Sequence, residues 1–184
     1  MAVNAGRASL QDYLAGLGRN RFVNMPSVLE VGIAGDRDST GNVCPGANRE
    51  FFPSITYRTA DIDPALNPDI VVNLEETDML PLCLAFDLVI CSQTLEHVWD
   101  IKAAARSLYY LTEPGGWCLV DTPFLAPVHY GGDKCGDWWR LTAPALARLM
   151  HEAGFATVES YEEPSHLHKP GEPSWVAAVC KRSA

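Results

Sequence analysis

The stretch SVLEVGIAG, residues 27–35, decides the fold of this 184-residue chain. Its first seven residues are mostly apolar and lie between Pro26 and a long polar loop, which predicts a buried β-strand. The strand ends in Glu30-Val31-Gly32-Ile33-Ala34-Gly35, where small residues let the backbone turn tightly and approach a ligand. Taken alone, this segment could equally be a plain turn after a core strand.

A second apolar run ends in Thr59-Ala60-Asp61-Ile62-Asp63-Pro64. Neighbouring parallel strands end at the same edge of a sheet, so Asp61 is expected to face the same crevice as the glycine turn. A carboxylate there can accept hydrogen bonds from both hydroxyls of a ribose. The alternative is an aspartate that only caps a turn before a proline.

The rest of the chain alternates further apolar runs with two helical patterns, which indicates an α/β layer architecture. One helix is predicted to begin at Asp100 and to end at Pro114-Gly115-Gly116, and the other to begin at Thr142 and to end at Gly154. Apart from the two runs already described, the predicted strands cover residues 70–72, 86–91, 117–120, 155–161 and 174–181.

Several connecting helices are predicted to be short or missing. Only Pro64-Ala-Leu-Asn-Pro68 separates the second strand from the third, whereas a parallel crossover needs about a dozen residues. Residues 70–72 are therefore expected to form a short edge piece, and the loop over residues 36–53 to hold at most a brief helix. A helix is expected within the first 26 residues, over residues 7–18. A sheet face left bare by missing helices could favour a homodimer.

Composition narrows the class of protein. The length fits one domain over residues 1–184, and no apolar run suits a membrane span or a signal peptide, so we expect no membrane partner and a cytoplasmic location. The formal net charge of −9 repels phosphate backbones, so nucleic acid is not an expected partner. The six cysteines form no C-x-x-C pair, and His166 and His168 have no acids at a fixed spacing, so no metal site is expected.

Two later segments, FDLVICSQTLEHV (residues 86–98) and LTEPGGWCLVDTPF (residues 111–124), follow the glycine turn and the strand that ends at Asp61. In this order, over residues 28–155, the segments resemble the class I S-adenosylmethionine-dependent methyltransferases. They are most similar to small members with a D-x-W-R-x-T loop, here residues 137–142. The resemblance implies a Rossmann-like, mostly parallel sheet with an antiparallel last strand, shortened or missing helices between the first four strands, and S-adenosylmethionine as the cofactor.

The resemblance also implies residue roles for the cofactor. The backbone at Gly32, with Ala34 and Gly35, would pass under the methionine part, and Glu30 would help to fix that loop. Ribose hydroxyls would bind Asp61, and the adenine would pack against Ile62. The remaining expected contacts are Asn73 and Leu74 near the adenine amino group, and Ser92 and Gln93 beside the carboxypropyl chain. Three residues depart from the family pattern, namely Ala34 and Asp36, which replace glycines, and Asn73, which replaces an acid.

Catalytic candidates lie on the acceptor side. A general base would be His97, His129 or Asp137, the last two within a loop over residues 123–141 that we expect to act as a lid. That loop also carries Trp138, Trp139 and Arg140, which could stack on an acceptor and bind its hydroxyl or carboxylate groups. In the plainer interpretation, one tryptophan fills the core and Arg140 pairs with Asp137.

The sequence thus predicts a methyltransferase that methylates a hydroxyl of a small-molecule or sugar-like acceptor. A non-catalytic S-adenosylmethionine-binding module is an alternative. An NAD-dependent oxidoreductase shares the strand, the glycine turn and the acid. However, Asp36-Arg37-Asp38 would place carboxylates where a pyrophosphate has to bind, which argues against that class.

Overall fold

The computed structural model describes residues 22, 25–33, 49, 52, 56–76, 84–129, 136–164 and 173–184, and these form a seven-stranded sheet. The strands are β1 (Ser27–Val31), β2 (Thr56–Asp61), β3 (Ile70–Val71), β4 (Phe86–Ser92), β5 (Thr112–Pro123), β6 (Thr157–Pro164) and β7 (Pro173–Lys181). Their order in the sheet is β3-β2-β1-β4-β5-β7-β6. β7 runs antiparallel between β5 and β6, whereas the other pairs are parallel. The predicted Rossmann-like architecture is confirmed.

This strand order creates a crevice beside β1. From β1 the chain continues outward to β2 on one side, and β4 pairs with β1 on the other. The strand order thus reverses its direction beside β1. In open α/β sheets, ligands bind at such a reversal of strand order, outside the carboxyl ends of the strands. The carboxyl ends of β1, β2, β4 and β5 meet at this edge, so the residues that follow them are the candidates for function.

Two helices pack on the sheet, and both begin at the predicted residues. Helix α1 covers Ile101–Leu111, and the Asp100 carboxylate accepts a hydrogen bond of 2.9 Å from the Ala103 N–H. Helix α2 covers Ala143–Ala153, and Thr142 Oγ1 accepts one of 3.3 Å from the Ala145 N–H. These side chains satisfy N–H groups that a helix start leaves without a partner inside the helix. Gly154, with φ of 121°, follows the last residue of α2, as predicted.

The end of α1 differs from the prediction. The helix stops at Leu111, and Thr112 already pairs with Phe86 on β4 as the first residue of β5. Pro114, Gly115 and Gly116 lie within β5, where the register with β4 shifts, rather than at the helix end. Gly115 has φ of 80° and its N–H donates to the carbonyls of the C-terminal residues Arg182 and Ser183. The glycines therefore serve an irregular strand.

The connection from β2 to β3 is as short as predicted. It holds one 3₁₀ turn, Pro64–Leu66, and β3 has two residues at the sheet edge. The helix predicted over residues 7–18 and the loop over residues 36–48 lie outside the described residues, as do Ala34, Gly35, Cys83, Cys135, His166 and His168. None of the helices among the described residues has the length and apolar character that a membrane span requires.

Apolar side chains cover both faces of the sheet. On one face, Leu29 and Val89 pack in a cluster with Leu108 of α1 and Leu146 of α2. On the other face, the buried sheet residues are Val28, Leu88, Ile90, Leu119 and Val179, which pack with Phe22 and Phe52. The bare sheet face that the sequence led us to expect is not seen at these positions, because Phe22, before β1, and Phe52, before β2, cover it. Three cysteines are buried in the core: Cys91, Cys118 and Cys180.

Candidate functional site

Gly32 forms the turn at the carboxyl end of β1. Its φ of 81° lies in the left-handed region, and its N–H donates a 2.9 Å hydrogen bond to the Ala60 carbonyl on β2. A Cβ atom at this position would lie 1.8 Å from Thr94 Oγ1, which follows β4. The turn after β1 and the turn after β4 are therefore in contact, and a side chain at position 32 would separate them.

The Asp61 carboxylate joins the ends of β1 and β2. Its Oδ2 accepts a 2.9 Å hydrogen bond from the Ile33 N–H, and its Oδ1 accepts one of 2.9 Å from the Asp63 N–H. Because a carboxylate oxygen has two lone pairs, each oxygen keeps capacity for a second donor. Asp61 is thus held in one orientation while it can still bind hydroxyl groups.

Ile62, which follows Asp61, and Glu30, which precedes the glycine turn, differ in exposure. Ile62 is 50% exposed although it is large and apolar, so it offers a flat apolar surface beside Asp61. Glu30 is buried, and its Oε2 accepts a 2.6 Å hydrogen bond from the Tyr57 hydroxyl on β2. This contact joins β1 to β2 before the turn, and the role of Glu30 in fixing the loop stays a prediction.

Asn73 and Leu74, which follow β3, have structural contacts. Asn73 Oδ1 accepts a hydrogen bond of 3.0 Å from the Glu75 N–H, and its amide donates one of 2.9 Å to Glu76 Oε1. Leu74 is buried in the main core cluster. The described contacts do not bring these two residues to Asp61, and their roles in adenine binding stay predictions.

Ser92 and Gln93, at the end of β4, adjoin a buried acid on β5. Gln93 has φ of 50°, its N–H donates to the Asp121 carbonyl at 3.1 Å, and its side-chain amide donates to the Asp121 carboxylate. Burial raises the pKa of Asp121 to about 6, although hydrogen bonds from Gln93 and Ser92 oppose the shift. The amide of Gln93 is therefore fixed by a partner that the sequence analysis did not identify.

A second group of side chains, the histidine cluster, consists of Glu96, His97 and His129. Glu96 is fully buried in a 3₁₀ turn after β4, and its Oε2 accepts a 3.3 Å hydrogen bond from Thr122 Oγ1. Its Oε1 lies 3.8 Å from His97 Nε2 and 3.9 Å from His129 Nε2. Burial raises the pKa of Glu96 to about 8.

The two histidines turn their other ring nitrogens away from Glu96. His97 Nδ1 lies 2.5 Å from the Gly136 carbonyl, and because a carbonyl only accepts, Nδ1 carries the proton. His129 Nδ1 lies 3.4 Å from Asp137 Oδ2. Burial lowers the pKa of His97, which favours the neutral ring. The unprotonated Nε2 of His97 consequently points towards Glu96.

Asp137 and Arg140 fix the loop that carries these contacts. Arg140 pairs with both oxygens of Asp137, with Nη2 to Oδ2 at 2.6 Å, and it also donates to the Pro127 carbonyl at 3.2 Å. The Asp137 Oδ2 atom accepts a further 2.7 Å hydrogen bond from the His129 N–H. Partial burial alone raises the pKa of Asp137, but the hydrogen bonds from Arg140 and His129 outweigh it and lower the pKa. Asp137 is therefore ionised at neutral pH and engaged with Arg140, as the plainer interpretation predicted.

The tryptophans of this loop divide into one anchored and one exposed side chain. Trp139 donates from Nε1 to the Val98 carbonyl at 2.7 Å, and the backbone N–H of Trp138 donates to the Glu96 carbonyl at 2.7 Å. The Trp138 side chain is 52% exposed and packs edge to face with Trp99, which is 65% exposed. An exposed aromatic surface thus lies on the same turn as the histidine cluster.

Two functional candidates were not identified from the sequence, namely Glu96 and Asp121. Each is an acid next to apolar residues, in TLEHV and CLVDT, and each is buried. An acid inside an apolar run is the signal that could have drawn attention to both, because charged side chains are buried only when a partner or a function retains them.

Comparison with known proteins identifies a family that matches this chain. A model of a methyltransferase domain family matches residues 7–160, which is most of the chain. No curated protein matches the sequence at a significant level.

Solved structures with the same fold include methyltransferases that act on different acceptor atoms. A 1,6-didemethyltoxoflavin-N1-methyltransferase from Burkholderia thailandensis, with 1,6-didemethyltoxoflavin and S-adenosylhomocysteine bound, is 15% identical, with a TM-score of 0.64 over 100% of this chain and 79% of that one. An O-methyltransferase family protein from the same organism is 16% identical, with a TM-score of 0.64 over 96% of this chain and 56% of that one. The N-methyltransferase NodS from Bradyrhizobium japonicum with S-adenosylhomocysteine is 14% identical, with a TM-score of 0.61 over 95% and 87% of the two chains.

Proposed function

Because this chain belongs to the methyltransferase domain family, we propose that it transfers a methyl group to a hydroxyl of a small-molecule or sugar-like acceptor. The cofactor is S-adenosylmethionine. The observation that carries the proposal is the Asp61 carboxylate, held by the Ile33 and Asp63 N–H groups beside the exposed Ile62. Family membership favours methyl transfer over the NAD-dependent alternative.

The described residues at the crevice fit an adenosine. Asp61 would accept hydrogen bonds from the ribose hydroxyls, and Ile62 would pack against the adenine ring. Gly32 leaves no side chain between the two strand ends, so a ligand can approach the backbone there. Glu30, Asn73, Leu74, Ser92 and Gln93 remain the further predicted contacts, together with Ala34 and Gly35.

Methyl transfer depends mainly on the position of the reacting groups. S-adenosylmethionine supplies a methyl group on a positively charged sulfur that leaves as a neutral thioether. The chain therefore has to hold the acceptor oxygen in line, an effect of up to about 7–11 kcal/mol in favourable systems. The chain also has to remove the hydroxyl proton, and a nearby base contributes about 100-fold or more to the rate.

His129 is the member of the histidine cluster that an acceptor can reach. Its side chain is 45% exposed, whereas those of His97 and Glu96 are 16% and 0% exposed. Of the three candidates from the sequence, we therefore assign the contact with the acceptor hydroxyl to His129. His97 and Asp137 are positioning residues, since one contacts the Gly136 carbonyl and the other is paired with Arg140.

The acceptor class follows from the surface around His129. The exposed rings of Trp99 and Trp138 suit a planar or sugar-like ring, and Arg140, two residues after Trp138, is held in an ion pair with Asp137. The net charge of −9 disfavours a nucleic acid as acceptor. One structural neighbour holds the small molecule 1,6-didemethyltoxoflavin, which supports a small-molecule acceptor.

Calorimetric titration with S-adenosylmethionine and S-adenosylhomocysteine tests the cofactor half of the proposal. Asp61→Ala should weaken binding by about 1–3 kcal/mol, because it leaves the ribose hydroxyls and the Ile33 N–H without their partner. Asp63→Asn is the matched control, since it removes a neighbouring charge and Asn can still cap the following 3₁₀ turn. Equal affinity of the Asp61→Ala variant and the unchanged protein would refute this placement of the ribose.

The acceptor half is tested by incubating the protein with the cofactor and a panel of phenols, sugars and small hydroxy compounds. Mass spectrometry should show the gain of one methylene in at least one hydroxyl compound. His129→Gln should reduce the rate by about 100-fold while the affinity for the cofactor stays unchanged. Methylation of amines or carbons alone would overturn the assignment to hydroxyl acceptors.

A further inference from the structure

We propose that Glu96, His97 and His129 bind a divalent cation of the first transition row, with Zn²⁺ as the representative ion. The three side chains offer one carboxylate oxygen and two imidazole nitrogens, and these atoms lie within 4.8 Å of one another. Two histidines and one carboxylate form a common ligand set for Zn²⁺ and Fe²⁺ in proteins. The residues come from two distant parts of the chain, so their spacing did not predict a metal site.

Glu96 Oε1 is the central observation. Among the described residues it is the buried side-chain nitrogen or oxygen atom that has no hydrogen-bond partner. Leaving a buried carboxylate oxygen without a partner is costly, and such an atom calls for an explanation such as an ion. Both histidine Nε2 atoms lie around this same oxygen, at 3.8 and 3.9 Å.

A proton shared within the cluster does not explain these separations. A hydrogen bond from nitrogen to oxygen spans about 2.7–3.2 Å, which is shorter than both measured distances. Two ligands of one tetrahedral cation, with bonds of about 2.0–2.2 Å, lie about 3.4 Å apart. The two carboxylate–histidine separations are therefore about half an ångström wider than those in a filled site, and small side-chain rotations would close them.

The surroundings of the histidines match those of metal ligands. A ligand histidine usually donates its second N–H to a carbonyl or carboxylate, which fixes the tautomer and directs the free nitrogen to the metal. His97 does so through Nδ1 to the Gly136 carbonyl, and His129 Nδ1 faces Asp137 Oδ2 at 3.4 Å. Arg140 in turn pairs with Asp137. The hydrogen bond to Gly136 leaves Nε2 of His97 as a ligand, and the Asp137 carboxylate beside Nδ1 of His129 favours the same tautomer there.

A cation here would act on the acceptor, and this role, unlike cation binding itself, rests on the proposed function. Three protein ligands leave at least one coordination position for another group. Because His129 is the exposed member of the cluster, that position faces the acceptor side. With the cation bound, His97 and His129 would be its ligands, and His129 would act on the acceptor through the cation rather than as the base. An acceptor hydroxyl bound there would lose its proton to water more readily, as water does on Zn²⁺. The oxygen then bonds to the methyl carbon while the carbon–sulfur bond breaks, with its electron pair going to sulfur.

Calorimetry on the chelator-treated full chain tests the site, with Zn²⁺ as the probe. We expect one strongly bound equivalent. His129→Ala and Glu96→Gln should each weaken it by at least about 100-fold, and Asp137→Asn by about 10- to 100-fold because it only orients His129. Glu96→Gln keeps the size of the buried side chain, and circular dichroism checks that each variant is folded.

Two other histidines provide the matched control. His166 and His168 lie outside the described residues, and the double variant His166→Gln/His168→Gln should bind Zn²⁺ as the unchanged protein does. With Co²⁺ as a second probe, the visible absorption of the bound ion should be lost in His129→Ala and kept in the double variant. Loss of binding in the double variant, unchanged binding in Glu96→Gln and His129→Ala, or no bound Zn²⁺ at all would each overturn the proposal.

The Asp61→Ala variant separates this inference from the proposed function. It should bind Zn²⁺ with unchanged affinity while it loses affinity for S-adenosylhomocysteine. A protein that binds and uses the cofactor but takes up no Zn²⁺ would refute the cation site alone. A protein that binds Zn²⁺ through Glu96 but ignores the cofactor would refute the proposed function and leave the cation site in place.

Discussion

Asp61 is held by the N–H groups of Ile33 and Asp63, which lie two residues after the ends of β1 and β2. Glu96 lies in a turn before α1 and His129 in a loop after β5, and their side chains come together only in the folded chain. The first arrangement needs only the parallel pairing of β1 and β2. The second also needs the ion pair of Asp137 and Arg140 to hold the loop in place. The strand ends are thus fixed by the sheet itself, and the histidine cluster by side chains.

The difference implies that the two regions respond separately to substitution. A change at the strand ends should affect the cofactor and the stability of the sheet. A change in the loop should affect the acceptor and leave the cofactor in place. Thr94 is the contact between them, because it touches Gly32 and stands two residues before Glu96.

The largest effect is expected from Gly32→Ala. The new Cβ would lie 1.8 Å from Thr94 Oγ1, on a backbone with φ of 81° that alanine rarely adopts. Strain and overpacking together should lower the free energy of unfolding by about 2–6 kcal/mol, and binding of S-adenosylhomocysteine should be lost. Urea denaturation and calorimetry measure the two effects.

The double variant Gly32→Ala/Thr94→Gly sharpens this test. Removing the Thr94 side chain removes the collision and leaves the backbone strain, so part of the stability should return. A Gly32→Ala protein as stable as the unchanged one would mean that the two turns are not in contact.

The next largest effect is expected from Asp121→Asn. The pKa of Asp121 is about 6 in the fold against an ordinary 3.8, so the folded state binds this proton more tightly than the unfolded state. The stabilisation that the Asp121 proton gives to the folded state is complete below about pH 4 and is lost as the pH rises through about 6. At pH 8 the variant should therefore be more stable by about 2–3 kcal/mol, whereas at pH 4 the two proteins should be alike.

Urea denaturation across this pH range measures that difference. Asparagine can still accept the hydrogen bond from the Gln93 amide, so the local structure should persist. A stability gain of equal size at pH 4 and pH 8 would show that the charge of Asp121 is not its cause.

The smallest effect separates the two regions most cleanly. Arg140→Lys keeps the charge but loses the paired hydrogen bonds to Asp137, so His129 should be held less firmly. The turnover rate should fall by about 10-fold while the affinity for S-adenosylhomocysteine stays the same. If the cofactor affinity falls in parallel, the loop and the strand ends are coupled and the comparison fails.

Most of the fold could be predicted from the sequence because its signals are local. The apolar run before Gly32, the caps Asp100 and Thr142, and the short link after Asp61 each determine one element, and the structure has all of them. The end of α1 was predicted wrongly because the two glycines that look like a helix stop serve a strand irregularity instead. That role depends on pairing between β4 and β5, which the local sequence does not specify.

The candidate site could be predicted to the extent that it lies next to strands. The positions of Asp61 and Gly32 follow from the strand ends, and their roles in cofactor binding stay predictions. The place of Glu96 in the histidine cluster could not be predicted, because it depends on which side chains surround Glu96 after folding. The contact between His129 and Asp137 likewise spans a loop whose shape the sequence does not fix.

The most direct test of the account is a nuclear magnetic resonance titration of the ¹⁵N-labelled chain with S-adenosylhomocysteine. The amide signals of Ile33 and Asp63 report on Asp61, because both N–H groups donate to its carboxylate. We predict that these two signals shift as the ligand is added, whereas the signals of Arg148 and Glu152 on the exposed side of α2 do not. Saturating ligand that leaves the Ile33 and Asp63 signals unchanged would contradict the account.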